Sequence, residues 1–132
     1  MTRFVIGPDV AMQLARDHTA IGADHQLLAP TLLRSQLLSR LYQAVGRGEL
    51  TKSDADQQLD YVRGLRLRLL GDRVLQRVAW RLADQLGWPD TFDAEYVALT
   101  QLQADALVTL DPRLGRAVEQ LVTVVPLEAL TS

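Results

Sequence analysis

The sequence predicts a three-layer α/β/α domain with a central, mainly parallel sheet of four to five strands. Short apolar runs at residues 4–6, 106–109 and 122–125 are typical of buried strands, and segments with helical spacing of apolar residues separate them. Strands that alternate with helices imply a parallel sheet covered on both faces. Because 132 residues, 48% of them hydrophobic, suit one core, residues 1–132 are expected to form a single domain.

The first half of the chain alternates strands and helices. The strand at residues 4–6 stops at a Gly-Pro pair, and a helical pattern begins at Asp9. A second apolar run leads to Pro30, a residue suited to the first turn of a helix. Leucines at helical spacing within residues 33–44 predict that helix. Thr51 is followed three residues later by an acid, the capping-box spacing that predicts the start of the next helix.

The second half repeats this alternation. Residues 65–70 are either a short strand or an extended connector, and Asp72 caps the helix that follows. Asp93 begins another helix, whose inward residues are predicted to be Ala94, Val97, Ala98 and Leu102. After the strand at residues 106–109, a short helix is expected over residues 113–120. The β-branched run at residues 122–125 predicts a last strand buried on both faces.

Composition excludes several classes of function. The net charge of −2 gives no large basic surface for nucleic acid, and the absence of cysteine excludes disulfides and thiolate metal sites. No apolar run approaches the roughly 20 residues of a membrane span, and the N-terminus lacks a signal-peptide pattern. We therefore expect a cytoplasmic protein with no membrane partner.

Arginine is strongly preferred over lysine, since Lys52 is the only lysine. Codon usage of a GC-rich genome explains such a bias more often than selection for phosphate binding, although arginine does suit bidentate phosphate contacts. One stretch of the chain is especially rich in arginine: Arg63, Arg66, Arg68, Arg73, Arg77 and Arg81. This cluster is either a solvated face or one rim of a groove, and the solvated face is the more common outcome.

Two aspartates are the strongest candidates for chemistry. Asp93 begins a helix and Asp111 follows a buried strand, and both are positions at which α/β proteins present functional groups. Carboxylate oxygens are the ligands that Mg²⁺ and Mn²⁺ prefer. Taken singly, Asp93 is more simply explained as a helix cap and Asp111 as a turn residue before proline. Taken together, they predict two carboxylates that share one cleft.

The chain resembles a PIN domain of the VapC toxin type over nearly its whole length. Residues 93–99, DAEYVAL, are similar to the family's DAxYxALA helix, and residues 109–114, TLDPRL, to its TxDxRL turn. Residues 28–30, LAP, followed by a leucine-rich helix, match the start of the family's second helix. The resemblance implies a Mg²⁺- or Mn²⁺-dependent endoribonuclease that cleaves RNA, forms a homodimer and pairs with a small antitoxin.

Two of the four acidic positions that the resemblance implies are neutral here. Gly7 lies where the family has its first aspartate, and Gln36 lies where it has a glutamate. Gln36 still offers a carbonyl oxygen and is a candidate substrate-binding residue. Asp9 lies where the family often has serine or asparagine, and it either contributes a metal ligand or only caps the first helix, the cap being the more frequent role. The predicted catalytic and metal-binding set is therefore Asp9, Asp93 and Asp111.

Other polar and aromatic residues carry weaker predictions. Arg113 is a candidate phosphate contact, with pairing to Asp111 or to solvent as the alternative. Trp80 and Trp88 are expected in the core or at a dimer contact rather than as base-stacking residues. No histidine pair has metal-ligand spacing, so a zinc site is not expected.

Three functions compete on this evidence. The first is a metal-dependent endoribonuclease that uses Asp9, Asp93 and Asp111. The second is a catalytically weak or inactive pseudoenzyme that keeps its antitoxin, dimer or RNA surface, and the two neutral positions modestly favour it. The third is an α/β domain of unrelated function, since a fold does not fix a function. The removal of two carboxylates from the cleft predicts weak binding of Mg²⁺.

Overall fold

A five-stranded parallel sheet forms the centre of the molecule. The structure is a computed structural model that describes residues 1–131; Ser132, the last residue of the predicted domain, lies outside the described residues. The strands are β1 (Thr2–Ile6), β2 (His25–Pro30), β3 (Leu67–Leu70), β4 (Ala106–Val108) and β5 (Val124–Val125). They lie in the order β3-β2-β1-β4-β5, and every neighbouring pair is parallel.

Helices cover both faces of the sheet. They are α1 (Pro8–Asp17), α2 (Leu32–Gly46), α3 (Lys52–Gly64), α4 (Arg73–Leu86), α5 (Phe92–Gln103) and α6 (Pro112–Val118), followed by a 3-10 helix, Leu127–Leu130. Helices α1, α2 and α3 pack on one another, whereas α5 packs on α4 and on the three strands β1, β2 and β4. Right-handed crossovers place these two groups on opposite faces, because the chain reverses its direction across the sheet after β3. The three-layer α/β/α prediction is confirmed.

Local sequence signals explain where several helices begin and end. Thr51 Oγ1 accepts a hydrogen bond from the Asp54 N–H at 3.0 Å, and the Asp54 carboxylate accepts one from the Thr51 N–H at 3.3 Å. This is the predicted capping box of α3. Asp72 caps α4 by accepting from the Leu75 N–H at 2.9 Å, and Gly87 ends α4 in the left-handed conformation with φ 68°.

The order of the strands positions the site. From the central strand β1 the chain moves outward through β2 and β3, then returns to place β4 on the other side of β1. The carboxyl ends of β1 and β4 therefore flank the point at which the sheet order reverses, the usual position of a ligand crevice in open parallel sheets. Val5, Ile6, Leu107 and Val108 anchor both strands, with at most 1% of each residue exposed.

Two predictions at strand boundaries were wrong. Pro30 ends β2, where it lies opposite Leu70, and does not begin a helix. The end of a strand tolerates a residue without an N–H, and the neighbouring Thr31 N–H supplies the bond to the Leu70 carbonyl at 3.2 Å. The last strand is only two residues long, and both are partly exposed, because β5 lies at the edge of the sheet and has no neighbour on its outer side. Residues 65–70 were predicted to be either a short strand or an extended connector, and within them Leu67–Leu70 form strand β3.

Two predictions in the second half were also wrong. Asp93 lies in the first turn of α5, whose N-cap is Thr91. Leu102 is 40% exposed and does not point into the core.

Trp80 is 69% exposed, which excludes the core position considered for it. Within residues 1–131, no helix is long and apolar enough to cross a membrane.

The first prediction concerns the anchoring of β4. Leu107→Ala should lower the free energy of unfolding by about 2–5 kcal/mol, because it leaves a cavity at a buried position beside the central strand. Leu110→Ala, a matched change at a side chain that is 45% exposed, should change it by less than about 0.5 kcal/mol. Urea unfolding followed by circular dichroism measures both values, and equal losses would contradict the packing described.

Candidate functional site

A cavity of about 330 Å³ opens at the carboxyl ends of β1 and β4. It lies between the residues that follow these two strands and the adjoining ends of α2 and α5. Its polar side chains are Asp9, Gln36, Arg40, Asp93, Tyr96, Thr109 and Asp111. Three carboxylates therefore face a single guanidinium in one hollow at the point where the sheet order reverses.

Asp93 and Asp111 reach this cavity from different elements, as the sequence predicts. Asp93 projects from the first turn of α5. Asp111 is the N-cap of α6, and its Oδ1 accepts hydrogen bonds from the Arg113 N–H at 2.9 Å and the Leu114 N–H at 3.4 Å. The helix cap fixes the Asp111 carboxylate at the cavity wall.

Asp9 holds the loop that carries Asp111. Its Oδ1 accepts a hydrogen bond from the Val10 N–H at 2.8 Å. Its Oδ2 accepts from the Leu110 N–H at 2.9 Å and lies 3.4 Å from Thr109 Oγ1. The N-cap of α1 is Gly7, so the cap role considered for Asp9 is excluded, and its role as a metal ligand stays a prediction. Asp9 joins α1 to the loop between β4 and α6, a contact across about a hundred residues of chain.

Gly7 provides the space that the Asp9 carboxylate occupies. A Cβ built on Gly7 would lie 2.8 Å from Asp9 Oδ1, which is closer than real Cβ contacts. The φ of Gly7 is −87°, a value that any residue adopts, so space and not backbone conformation favours glycine here. A side chain at position 7 and the observed position of the Asp9 carboxylate exclude each other.

Gln36 is held by Tyr96. The Tyr96 hydroxyl donates a hydrogen bond to Gln36 Oε1 at 2.6 Å, which ties α2 to α5 at the edge of the cavity. Burial of the ring raises the pKa of Tyr96 far above its ordinary value of 10, so the hydroxyl stays protonated and remains a donor. The carbonyl oxygen of Gln36 is thereby engaged inside the protein.

Arg40 is a cavity residue that the sequence analysis missed. It lies four residues after Gln36, so both project from the same side of α2. This spacing was the available signal. Its guanidinium acts on Asp93 by lowering the pKa of that carboxyl, in opposition to the neighbouring acids.

The Asp93 carboxyl has a raised pKa. Partial burial is the largest cause, and repulsion from Asp111, Asp90 and Asp9 adds to it, whereas attraction to Arg40 opposes it. The side chain is exposed enough for solvent to weaken each of these effects. The raised pKa therefore reflects burial first and the neighbouring acids second.

The arrangement does not fit a tightly held divalent cation. Among residues 1–131, no three histidine or acidic side chains lie close enough together to share one ion. Both oxygens of Asp9 accept hydrogen bonds from N–H donors, and one oxygen of Asp111 caps α6. These hydrogen bonds use part of the lone-pair capacity of both carboxylates, and Mg²⁺ requires near-ideal octahedral oxygen geometry.

Arg113 does not line the cavity. It is exposed in the first turn of α6, and its contact with Asp111 is made by the backbone N–H. The phosphate contact predicted for its side chain therefore stays a prediction. Arg40, and not Arg113, is the arginine that lines the cavity.

The second prediction tests the loop contact. Asp9→Ala should speed hydrogen exchange at the Leu110 amide and lower the free energy of unfolding by about 1–2 kcal/mol, because the amide loses its acceptor. Asp17→Ala removes an exposed aspartate from the same helix and should leave exchange at Leu110 unchanged. Exchange at Leu110 that is the same in Asp9→Ala and in the wild type would contradict the assignment.

The third prediction follows from the raised pKa of Asp93. The folded protein holds the Asp93 proton more tightly than the unfolded chain, so the ionised carboxylate lowers stability above the folded-state pKa. Asp93→Asn should therefore raise the free energy of unfolding at pH 7. The gain should shrink as the pH falls through the folded-state pKa, and disappear below the ordinary value of 3.8.

Urea unfolding at a series of pH values measures this difference. Glu119→Gln, which removes one exposed carboxylate outside the cavity, controls for the change in net charge. A stability gain for Asp93→Asn that grows as the pH falls would show that the sign is wrong.

The fold is similar to that of several solved structures. PAE2754 from Pyrobaculum aerophilum has a TM-score of 0.74 at 19% identity, with 98% of this chain and 92% of that chain covered. VapBC2 from Rickettsia felis, bound to a DNA fragment from their promoter, has a TM-score of 0.69 at 12% identity, covering 95% and 98%. The PilT N-terminus domain protein SSO1118 from Sulfolobus solfataricus P2 has a TM-score of 0.52 at 19% identity, covering 98% and 90%.

No protein-family model and no curated protein matches the sequence. At identities of 12–19% the structural likeness establishes the fold and does not by itself establish an activity. The sequence resemblance and the structural likeness nevertheless agree on one architecture. The chain has a PIN-like fold, the fold of the VapC toxin of a toxin–antitoxin pair and of the PilT N-terminus domain.

Proposed function

We propose that this protein is a VapC-like component of a toxin–antitoxin pair whose acidic site binds divalent metal poorly. RNA cleavage is then weak or absent, and binding of an antitoxin, of RNA or of a second copy is what the protein retains. The observation that carries this proposal is the state of the cavity. Gly7 and Gln36 replace two carboxylates, and the oxygens of Asp9 hold a loop in place.

The electrostatic argument supports weak metal binding. Each missing carboxylate removes an attraction of roughly 4 kcal/mol, the interaction of two unit charges about 4 Å apart at an effective dielectric near 20. The guanidinium of Arg40 also repels a cation that approaches Asp93. Two lost attractions and one added repulsion act in the same direction.

The cavity retains groups that suit a phosphodiester of RNA. Arg40 offers charged N–H donors, and the side-chain amide of Gln36 offers neutral ones beside it. Asp93 and Asp111 repel a phosphate placed deeper in the cavity. An RNA backbone would therefore contact the α2 side of the opening, where binding does not require cleavage.

A second candidate is a Mg²⁺- or Mn²⁺-dependent endoribonuclease that uses Asp9, Asp93 and Asp111. The mutual repulsion of these acids favours it, since Asp111 and Asp9 both raise the pKa of Asp93. A divalent cation would relieve that repulsion. We rank it second because Gly7 and Gln36 leave the cavity with two fewer carboxylates than the resemblance implies.

An apolar groove offers a surface for the antitoxin. It has a volume of about 590 Å³ and lies between α2, α3 and the edge strand β3. Its apolar side chains include Leu33, Leu37, Leu38, Leu59 and Val62, and Leu38 is 57% exposed. We also propose that the protein forms a homodimer, as the family resemblance implies, and that it is located in the cytoplasm.

The fourth prediction separates the two candidates. The wild type should cleave structured RNA weakly or not at all in Mn²⁺, and calorimetry should show poor binding of Mg²⁺ and Mn²⁺. A restored variant carries Gly7→Asp, Gln36→Glu and Asp9→Ser. The serine removes the Asp9 carboxylate, which a side chain at position 7 would otherwise displace from its observed position. The restored variant should bind Mn²⁺ more tightly and cleave the same RNA.

Asp93→Asn in each background is the matched control. It should abolish cleavage by the restored variant, and circular dichroism should show that all variants are folded. Efficient wild-type cleavage that Asp93→Asn abolishes would establish the endoribonuclease instead. A folded restored variant that binds Mn²⁺ but leaves RNA intact would contradict the VapC-like assignment.

A further inference from the structure

Helix α4 carries an exposed face that none of the contacts described so far uses. We call it the α4 face, and its six residues line one shallow concavity: Arg73, Gln76, Arg77, Trp80, Arg81 and Asp84. Steps of three and four residues place all six on one side of the helix, opposite the buried Leu75, Ala79 and Leu82. All six are exposed.

The α4 face lacks internal partners for its charges. None of the ion pairs within residues 1–131 involves Arg73, Arg77 or Arg81. Trp80, a large aromatic side chain, is 69% exposed among these arginines. An exposed tryptophan surrounded by unpaired guanidinium groups indicates a surface that a partner covers.

The order of residues along the α4 face is complementary to itself. When two identical helices pack antiparallel about a twofold axis, residues whose numbers have the same sum lie opposite one another. Three pairs on this face share one sum: Arg73 with Asp84, Gln76 with Arg81, and Arg77 with Trp80. Every residue of the face then has a chemically suitable partner.

We infer that a second copy of this chain docks on the α4 face, with the two α4 helices antiparallel. Arg73 pairs with Asp84 of the other copy as an ion pair, and Arg77 stacks on the indole of Trp80 as a cation–π contact. Gln76 offers its amide oxygen to Arg81. The twofold axis generates each contact twice, so all three arginines and the tryptophan are covered.

Apolar surface continues from this face onto α5. Val74 is 49% exposed and Leu102 is 40% exposed, and both line the same cleft between α4 and α5. Together with Trp80, they give the interface an apolar part beside its charged pairs. Dimer interfaces commonly combine these two features.

The charge distribution favours a second copy over nucleic acid. A polynucleotide would satisfy the arginines and stack on Trp80, but it would offer phosphates to Asp84 at the end of the same face. A second copy instead supplies a carboxylate to Arg73 and a guanidinium to Asp84. The inference rests on the homodimer within the proposed function and specifies its interface and register.

The fifth prediction uses a charge exchange between Arg73 and Asp84. Arg73→Asp places two acids opposite each other, and Asp84→Arg places two arginines opposite each other. Each single change should weaken the dimer by about tenfold or more. The double variant restores opposite charges and should return the dissociation constant to within about threefold of the wild type. Sedimentation velocity over a concentration series measures these constants.

Two further variants complete the design. Trp80→Ala should weaken the dimer, and Arg116→Asp on α6, an exposed arginine away from α4, should leave it unchanged. Circular dichroism verifies the fold of each variant. A dimer that persists in both single charge variants would overturn the α4 interface and leave the homodimer of the proposed function standing.

A wild type that remains monomeric at every concentration would overturn both the interface and the homodimer. Filter binding of single-stranded RNA tests the competing occupant. The proposal would be overturned if the protein does not dimerise, Arg73→Asp lowers its RNA affinity and Asp84→Arg raises it. The α4 face would then be assigned to nucleic acid.

Discussion

The carboxylate of Asp9 holds the functional edge of this molecule together, and it does so in space that exists because residue 7 lacks a side chain. Its Oδ2 binds the Leu110 amide, which precedes the N-cap of α6. The segment after the first strand is thereby fastened to the segment after the fourth. This contact holds the residue before Asp111, and the cap of α6 holds the Asp111 carboxylate itself.

The same contact determines the electrostatics of the cavity. An aspartate at position 7 would be free to face a metal, whereas the carboxylate of Asp9 is satisfied by N–H donors. Burial and the neighbouring acids raise the pKa of Asp93, and Arg40 opposes this effect only in part. Arg40 on α2 is a fixed positive charge beside these acids, and its attraction favours the ionised form of Asp93.

Sequence reasoning found the architecture and the meeting of Asp93 with Asp111, because both depend on local patterns and on the geometry of parallel sheets. Apolar periodicity reports which face of an element is buried, but not what a polar side chain contacts. The bond between Asp9 and Leu110 therefore could not be predicted, and Arg40 was overlooked although its spacing from Gln36 was visible.

Periodicity also cannot identify edges or interfaces. It marked residues 122–125 as a fully buried strand because it does not show that β5 has a single neighbour. It placed Leu102 inward because an apolar residue at helical spacing looks the same whether the chain's own core or another molecule covers it.

The cavity is separate from the two surfaces proposed for partners. The cavity lies at the carboxyl ends of β1 and β4, whereas the apolar groove lies beyond β3 and the α4 face points into solvent from the outer helix layer. No residue lines more than one of these three surfaces. Substitutions at positions 7 and 36 therefore alter side chains of the cavity without replacing a residue that lines the other two surfaces. The buried packing of β1 and β4 anchors the strands whose carboxyl ends carry the cavity.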